Sequence, residues 1–428
     1  MKKSLIALAA LAATGAFAQS SVTLYGRAEA TVDLGYRSTT SNSASGFSVL
    51  NGVVVPNSAF NVNTGGAVSK PGFRVQDGNN QGLGSSRFGF RGTEDLGGGL
   101  KANFVMEAGV NLDDGSSGNG GGQFFSRSAW VGLSGGFGEV RLGRFVQGSF
   151  GVHANGLALA AASGLYETGA TVAQAGVRTS NGIQYRSPDF GGISGTVSLT
   201  APENNISTTT GAATSSTTGK TGVDLSVAYA NGPIYVGFGY NKQNTTTATN
   251  NGLPGLANVT TNTAGPRTDY TLSASYNFGV AQPFFNYTNR KDRSNSSTVT
   301  GGVVTAIGGT SLAGSGVNTN GRQYALGVKV PLGAATLVTS FGTHKTTGSA
   351  NDLANANNLS VERKVRAFQI GALYPLSKRT TLLANYGVNN LKDRATGVQL
   401  IGIGAGSTVT SQSETKQRGL NFGVQHLF

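Results

Sequence analysis

The chain has 428 residues, no cysteine, 66 glycines, and 32 Lys and Arg against 19 Asp and Glu, a formal net charge of +13. The absence of cysteine excludes a small disulfide-stapled scaffold, so stability must come from hydrogen bonding and packing along a long chain. A basic balance invites a nucleic-acid reading, but the Lys and Arg are scattered instead of clustered with aromatics on one face, which argues against nucleic acid as a partner.

At the N-terminus, Met1, Lys2 and Lys3 precede an apolar run from Leu5 to Ala13, and Ala16-Phe17-Ala18 offers a small-x-small cleavage site. This pattern predicts a signal peptide over residues 1–18, since a spanning helix needs roughly 18 to 20 apolar residues. The mature chain, 19–428, would then begin at Gln19 with 428 − 18 = 410 residues and 30 − 19 = +11 charges. No composition break divides it, so one large architecture is expected.

From there, apolar and polar residues alternate, which places one kind on each face of a strand. Val22, Leu24, Gly26, Ala28, Ala30, Val32, Leu34 and Tyr36 share one face, with Thr23, Arg27, Glu29, Thr31 and Asp33 on the other. Leu100, Ala102, Phe104, Met106, Ala108 and Val110 alternate against Lys101, Asn103 and Glu107. The pattern returns at Val223 to Tyr229, Tyr270 to Phe278 and Tyr324 to Val330. Sixteen such segments start near Val22, Arg87, Leu100, Phe124, Gly138, Asn181, Ile193, Gly222, Ile234, Thr268, Ala281, Arg322, Ala335, Lys364, Thr380 and Gln417.

Short turns, such as Asp95 to Gly99, Gly135 to Gly138, Asn231 to Pro233 and Pro331 to Ala334, alternate with long polar stretches. Arg37 to Ser85, Phe145 to Thr179, Ala201 to Thr221, Asn244 to Pro266, Arg290 to Gly321 and Lys345 to Arg363 read as loops. Alternation alone suits a soluble sandwich too. Short turns on one side and long connections on the other are the pattern of an outer-membrane β-barrel, and sixteen strands leave an aqueous channel. The fold class expected is therefore all-β, a transmembrane antiparallel barrel.

At the C-terminus Leu420, Phe422, Val424 and Phe428 alternate up to a final aromatic, with His426 interrupting the apolar face. Phe422, Val424 and Phe428 resemble the outer-membrane assembly signal, which makes the assembly machinery an expected partner.

Longer motifs give the resemblance a family. They are Ser21-Val22-Thr23-Leu24-Tyr25-Gly26, the run from Ser86 to Gly97, Arg127-Ser128-Ala129-Trp130-Val131-Gly132-Leu133, Leu142-Gly143-Arg144, the run from Asn181 to Gly192, and Phe428. In this order they resemble the general porin family of beta-proteobacteria, trimeric sixteen-stranded channels. The likeness is densest from Ser21 to Gly192. It implies a homotrimer, contact with outer-membrane lipid and lipopolysaccharide, passage of small ions and solutes, and a third loop, Phe145 to Thr179, folded into the lumen against a basic wall.

Alternation independently directs Arg27, Arg87, Arg91 and Lys101 inward, and Arg141 and Arg186 are expected to follow. Arg127 shares parity with the apolar Val131 and Leu133, so only the family pattern puts it in the lumen; Arg144 is ambiguous in the same way. With Glu107 on the wall and Glu167 the one carboxylate in the folded loop, these residues form the expected constriction, leaning to anions because rings of basic side chains raise local anion concentration. The alternative is that the arginines pair with Glu29, Asp33, Glu107 and Glu139 and only stiffen the wall.

An enzyme reading fails on the residues. Gly132-Leu133-Ser134-Gly135-Gly136 fits a nucleophile elbow, but at a strand-to-strand turn instead of a strand-to-helix turn. His153, His344 and His426 lack metal-ligand spacing, and no cofactor motif is found. An adhesin or surface-receptor barrel is the other class. The apolar patch Leu157 to Ala162 in the third connection suits a loop tucked against a wall better than one exposed for binding.

Overall fold

The computed structural model describes residues 21–44, 47–50, 53–56, 67–77, 85–118, 123–158, 177–202, 205–209, 213–252, 259–300, 313–352, 357–400 and 406–428. Sixteen antiparallel strands close into one barrel. They are β1 (Ser21–Ala44), β2 (Arg87–Gly97), β3 (Leu100–Val110), β4 (Ser128–Gly135), β5 (Gly138–Val146), β6 (Arg178–Arg186), β7 (Ile193–Thr200) and β8 (Ala213–Asn231). The second half comprises β9 (Ile234–Gly252), β10 (Val259–Tyr276), β11 (Gln282–Thr300), β12 (Ala313–Leu332), β13 (Ala335–Asp352), β14 (Asn357–Pro375), β15 (Thr380–Leu400) and β16 (Gly406–Leu427). A helix, α1 (Gly148–Ala158), follows β5. Each strand pairs with the next, and β16 returns to β1 with Val32 opposite Phe422. Closure gives each of the sixteen strands a neighbour on both sides among the described residues, as lipid requires of a spanning sheet.

Burial decides between sandwich and barrel. Val22 is 66% exposed and Leu326 56%, whereas Asn286, Ser273 and Thr288 are fully buried. An apolar face turned out and a polar face enclosed is the inverse of a soluble core. Two short turns show how the chain reverses: Asn231 pairs Ile234 around Gly232 at φ +56°, and Leu332 pairs Ala335 around Gly333 at φ +61°. Hairpins of two residues need positive φ there, which glycine adopts without strain.

The boundaries correct the sequence expectation in several places. In the stretch from Arg37 to Ser85, expected to be a loop, β1 runs on to Ala44, Phe47–Leu50 pairs with Val53–Pro56, and Ala67–Asp77 is a further strand segment laid along β1. Most of the stretches assigned to loops between β7 and β14 are strand: β8 and β9 stay in register out to Ala213 and Gly252, and β12 and β13 out to Ser315 and Asp352. Runs of Thr, Ser and Asn lack an apolar face, so alternation is silent there, yet Thr pairs well in a sheet that water covers on both sides. β16 likewise begins at Gly406, eleven residues before Gln417. β4 begins at Ser128, not near Phe124, because Ser126 and Arg127 are held by Gly118 and Glu107 outside the strand ladder.

Candidate functional site

Arg27 on β1 and Arg87 on β2 stand directly opposite each other on the inner face. Like charges in that position repel, so a carboxylate nearby is needed. Glu107, inward on β3, supplies it. One of its oxygens accepts Arg127 Nε at 2.6 Å; the other lies 3.6 Å from Arg87 Nε and accepts the Tyr25 hydroxyl at 3.0 Å. Arg127 also donates to Ser85 Oγ at 2.7 Å.

Arg178, at the start of β6, lies in the electrostatic field of Arg87, Arg127, Arg144 and Glu107. Arg144 donates to the Ser126 carbonyl at 2.7 Å and to Ser180 Oγ at 2.6 Å. Four guanidinium groups therefore gather around Glu107, Arg144 joins them beside Arg178 as the fifth of the cluster, and Glu29 lies beside Arg27 as a further acid. Positive charge is in excess.

Alternation misleads at both doubtful arginines, for identifiable reasons. Arg127 precedes β4, so strand parity does not govern it. Arg144 follows Gly143, whose φ of +128° breaks the alternation of β5. Arg144 and Arg178 belong to the cluster although sequence reasoning did not place them there; the glycine at 143 is the signal for the first, and only the fold brings in the second.

The other expected constriction residues lie elsewhere. Arg141 is paired with Glu139 at 2.6 Å, sits over the Trp130 ring at 4.2 Å, and shares Glu139 with Arg186 at 3.6 Å, close to the Gly135–Gly138 turn. Arg91 lies over the Tyr25 ring at 5.2 Å, four residues along β2 from Arg87, or roughly 13 Å toward the short turns. Lys101 is exposed opposite Asp95, beside the turn. Glu167 and most of the Leu157 to Ala162 patch lie outside the described residues.

Helix α1 lies against the inner faces of β8 to β11. Its first turn sits on Asp224 of β8, which accepts the Ser149 amide at 3.1 Å and the Ser149 hydroxyl. A carboxylate at a helix N-terminus satisfies orphan N–H groups and the helix dipole. Asn241 ties Asp224, at 3.1 Å, to Gln147, at 2.9 Å. The close approach depends on Gly239 of β9, where a Cβ would fall 2.7 Å from the Ser149 Cα. Further along, Asn155 donates to the Tyr235 hydroxyl at 3.1 Å and His153 Nδ1 lies 3.0 Å from Thr288 Oγ1.

A closed barrel with a helix against its inner wall and a cationic cluster at another point of that wall has the geometry of a channel. The sequence profile of the Gram-negative porins matches residues 4–394. The chain belongs to that family. This porin is 33% identical to outer membrane porin protein 32 of Delftia acidovorans over the full length of both chains. It is 30% identical to an outer membrane porin protein of Bordetella pertussis over 90% of this chain and 94% of the relative. Among solved structures it resembles an anion-selective porin from Comamonas acidovorans at 26% identity and a TM-score of 0.51, covering 96% of this porin and all of that one. An outer-membrane location and a channel function follow from the family and the barrel together. The early motifs quoted above, and the resemblance drawn from them, agree with this assignment.

Proposed function

We propose that this porin passes small hydrophilic solutes with a preference for anions, set by a constriction between the α1 side of the lumen and the arginines around Glu107. The observation that carries the reading is the charge imbalance there: Arg27, Arg87, Arg127, Arg144 and Arg178 against Glu107 and Glu29. Fixed cations along a narrow wall concentrate anions and lower their entry barrier. The structurally similar porin from Comamonas acidovorans is described as anion-selective, which supports the same direction here.

The test is the reversal potential across a planar bilayer in a KCl gradient. Wild-type protein should favour chloride, most clearly in dilute salt, because the Debye length falls from about 10 Å at 0.1 M to about 3 Å at 1 M. Arg27→Glu with Arg87→Glu should shift the potential toward that of potassium; Lys291→Glu with Arg293→Glu, on the outer wall, should shift it less. Cation selectivity in the wild type, or equal shifts in the two variants, would show that the arginines only stiffen the wall.

The same reading includes removal of residues 1–18 on export, assembly through Phe422, Val424 and Phe428, and a trimer packed through the outer faces of β1 to β3. Ala28, Ala30 and Ala102 lie there among Phe88, Phe90 and Phe104, a surface of small and aromatic residues suited to close wall-to-wall contact. An unheated sample migrating as a monomer while still conducting would contradict the trimer.

A further inference from the structure

Toward the short turns from the arginine cluster, the inner wall becomes apolar over a small area. Val105 of β3 and Trp130 of β4 stand directly opposite each other and share the inward parity of Glu107 and Ser128, while their neighbours Met106 and Val131 are exposed on the outer face. The lumen of a barrel of this kind is lined with polar groups, so two apolar side chains facing it call for a reason. On its other side Val105 is directly opposite Arg91 of β2. One row across three strands therefore reads Arg91, Val105, Trp130.

The polar groups that border this row are already spoken for. One step nearer the short turns, Thr93 donates to Asn103 Oδ1 at 3.0 Å and Asn103 Nδ2 donates to Ser134 Oγ at 2.8 Å. One step nearer the cluster, Glu107 holds Tyr25 and Arg127. Arg141, 4.2 Å from the centre of the Trp130 ring, is engaged by Glu139 at 2.6 Å. Arg91 differs. It rests over the Tyr25 ring at 5.2 Å, is exposed, and makes no ion pair among the described residues. A guanidinium held on an aromatic face keeps its N–H fork in its own plane, available to a carboxylate.

The spacing selects the shape of what fits. Neighbouring strands lie about 4.8 Å apart, so Arg91 and Trp130, two strands from each other, are roughly 10 Å apart with Val105 between them. A carboxylate on Arg91 joined to a flat ring lying on Val105 beside Trp130 fills that span. An inorganic anion or a short aliphatic acid would use the guanidinium and leave the apolar floor bare. A neutral aromatic would cover the floor and leave the guanidinium without an acceptor. The combination of a two-pronged donor with an aromatic and aliphatic floor is met in full by one class of solute.

We propose that Arg91, Val105 and Trp130 form a subsite for aromatic carboxylates of the benzoate class, with the carboxylate on Arg91 and the ring on Val105 against the Trp130 indole. The subsite rests on the anion-preferring channel argued above and names a class of solute for it. An aromatic acid that has passed the arginines around Glu107 meets it next on the way to the short-turn mouth.

Trp130 is the one tryptophan of the chain, so its emission reports on this place and no other. Folded porin in detergent is titrated with benzoate, acetate and benzyl alcohol, and the same solutes are applied to single channels in KCl. Benzoate should change Trp130 emission saturably and reduce the chloride current, at concentrations at least about tenfold below those of acetate or benzyl alcohol, since it alone combines a charge-assisted bond with ring burial. Arg91→Gln should raise the benzoate midpoint about tenfold, the usual worth of a hydrogen bond to a charged group. Val105→Ser should raise it about threefold through loss of apolar floor. Lys378→Gln with Arg379→Gln, in the turn between β14 and β15, should leave it unmoved. Equal midpoints for benzoate and either other solute would overturn the subsite, and so would a benzoate titration indifferent to both Arg91→Gln and Val105→Ser. The three-solute comparison at Trp130 needs no variant and stands even if one fails to assemble. The reversal potential of the same channels separates the two readings: chloride preference without a benzoate response sinks the subsite alone, whereas potassium preference sinks the anion channel as well.

Discussion

Phe428 and Gly26 close the barrel. The Gly26 amide donates to the Phe428 carbonyl at 2.9 Å, the Phe428 amide donates back to the Gly26 carbonyl at 3.1 Å, and the Phe428 ring covers the bare Gly26 backbone. A Cβ at Gly26 would meet that ring and come within 2.7 Å of the Arg87 carbonyl oxygen. An aromatic laid over a glycine on the neighbouring strand is a recurrent way of pinning register.

Two changes should thus converge on assembly. Gly26→Val displaces the ring and strains the β1 to β2 contact, and deletion of Phe428 removes the ring together with two backbone bonds. Both should lower the heat-resistant, folded fraction on an unheated gel, with the protein that does assemble conducting normally. Wild-type levels of folded Gly26→Val protein would show that the ring over Gly26 contributes nothing to closure.

What the sequence revealed follows from where lipid and water lie. Strands bounded by lipid on one side and the lumen on the other had to alternate, so Val22 to Leu34 and Leu100 to Val110 were assigned correctly to their faces. Extensions such as Ala213 to Thr221 and Asn244 to Gly252 carry no such constraint and looked like loops. The site was legible only in part, for the same reason. Arg27, Arg87 and Glu107 sit within regular strands, whereas Arg127 and Arg144 sit where regularity breaks, at a strand start and after Gly143. The seat of α1 on Asp224 joins positions 75 residues apart and has no local signature.

Glu107 is the counterion on which the arginine cluster depends. Glu107→Gln should raise the preference for chloride in dilute KCl, because the cluster loses a negative charge and keeps five positive ones. It should also destabilise the barrel by about 1–3 kcal/mol, the usual cost of leaving a largely buried charged group without its partner. Urea unfolding in detergent measures the second effect and the reversal potential the first. An unchanged reversal potential would mean that permeating ions do not sense this cluster.

His153 gives the helix a pH dependence. Burial, with a smaller contribution from the Arg290 guanidinium, pushes its pKa down to about 4 from an ordinary value of 6.5. Above about pH 6.5 the ring is neutral whether or not α1 is docked, and docking is unaffected. As pH falls from 6.5 toward 4, the undocked ring takes up a proton that the docked ring resists, so docking weakens across that window and levels off below it. Current fluctuations should increase over the same range. His153→Gln, which keeps a partner for Thr288 without a titrating group, should flatten the profile; identical profiles for variant and wild type would rule out His153 as its origin.

The last prediction concerns how closely α1 approaches the wall. Gly239→Val would place side-chain carbons where the Ser149 Cα now lies, and overpacking of this kind costs about 1–3 kcal/mol. β9 is locked in register by β8 and β10 along its length, so the helix is the part that yields. Moving α1 off β9 breaks the Asp224 contacts to Ser149 and opens the lumen on that side. Single-channel steps should become larger, and the chloride preference smaller, because ions pass further from the arginine wall. Asp224→Asn should act in the same direction but more weakly, since it loses the charge that favours the helix N-terminus while leaving the space for α1 intact. If Gly239→Val gives steps of wild-type size from a properly folded barrel, α1 does not set the width of the channel.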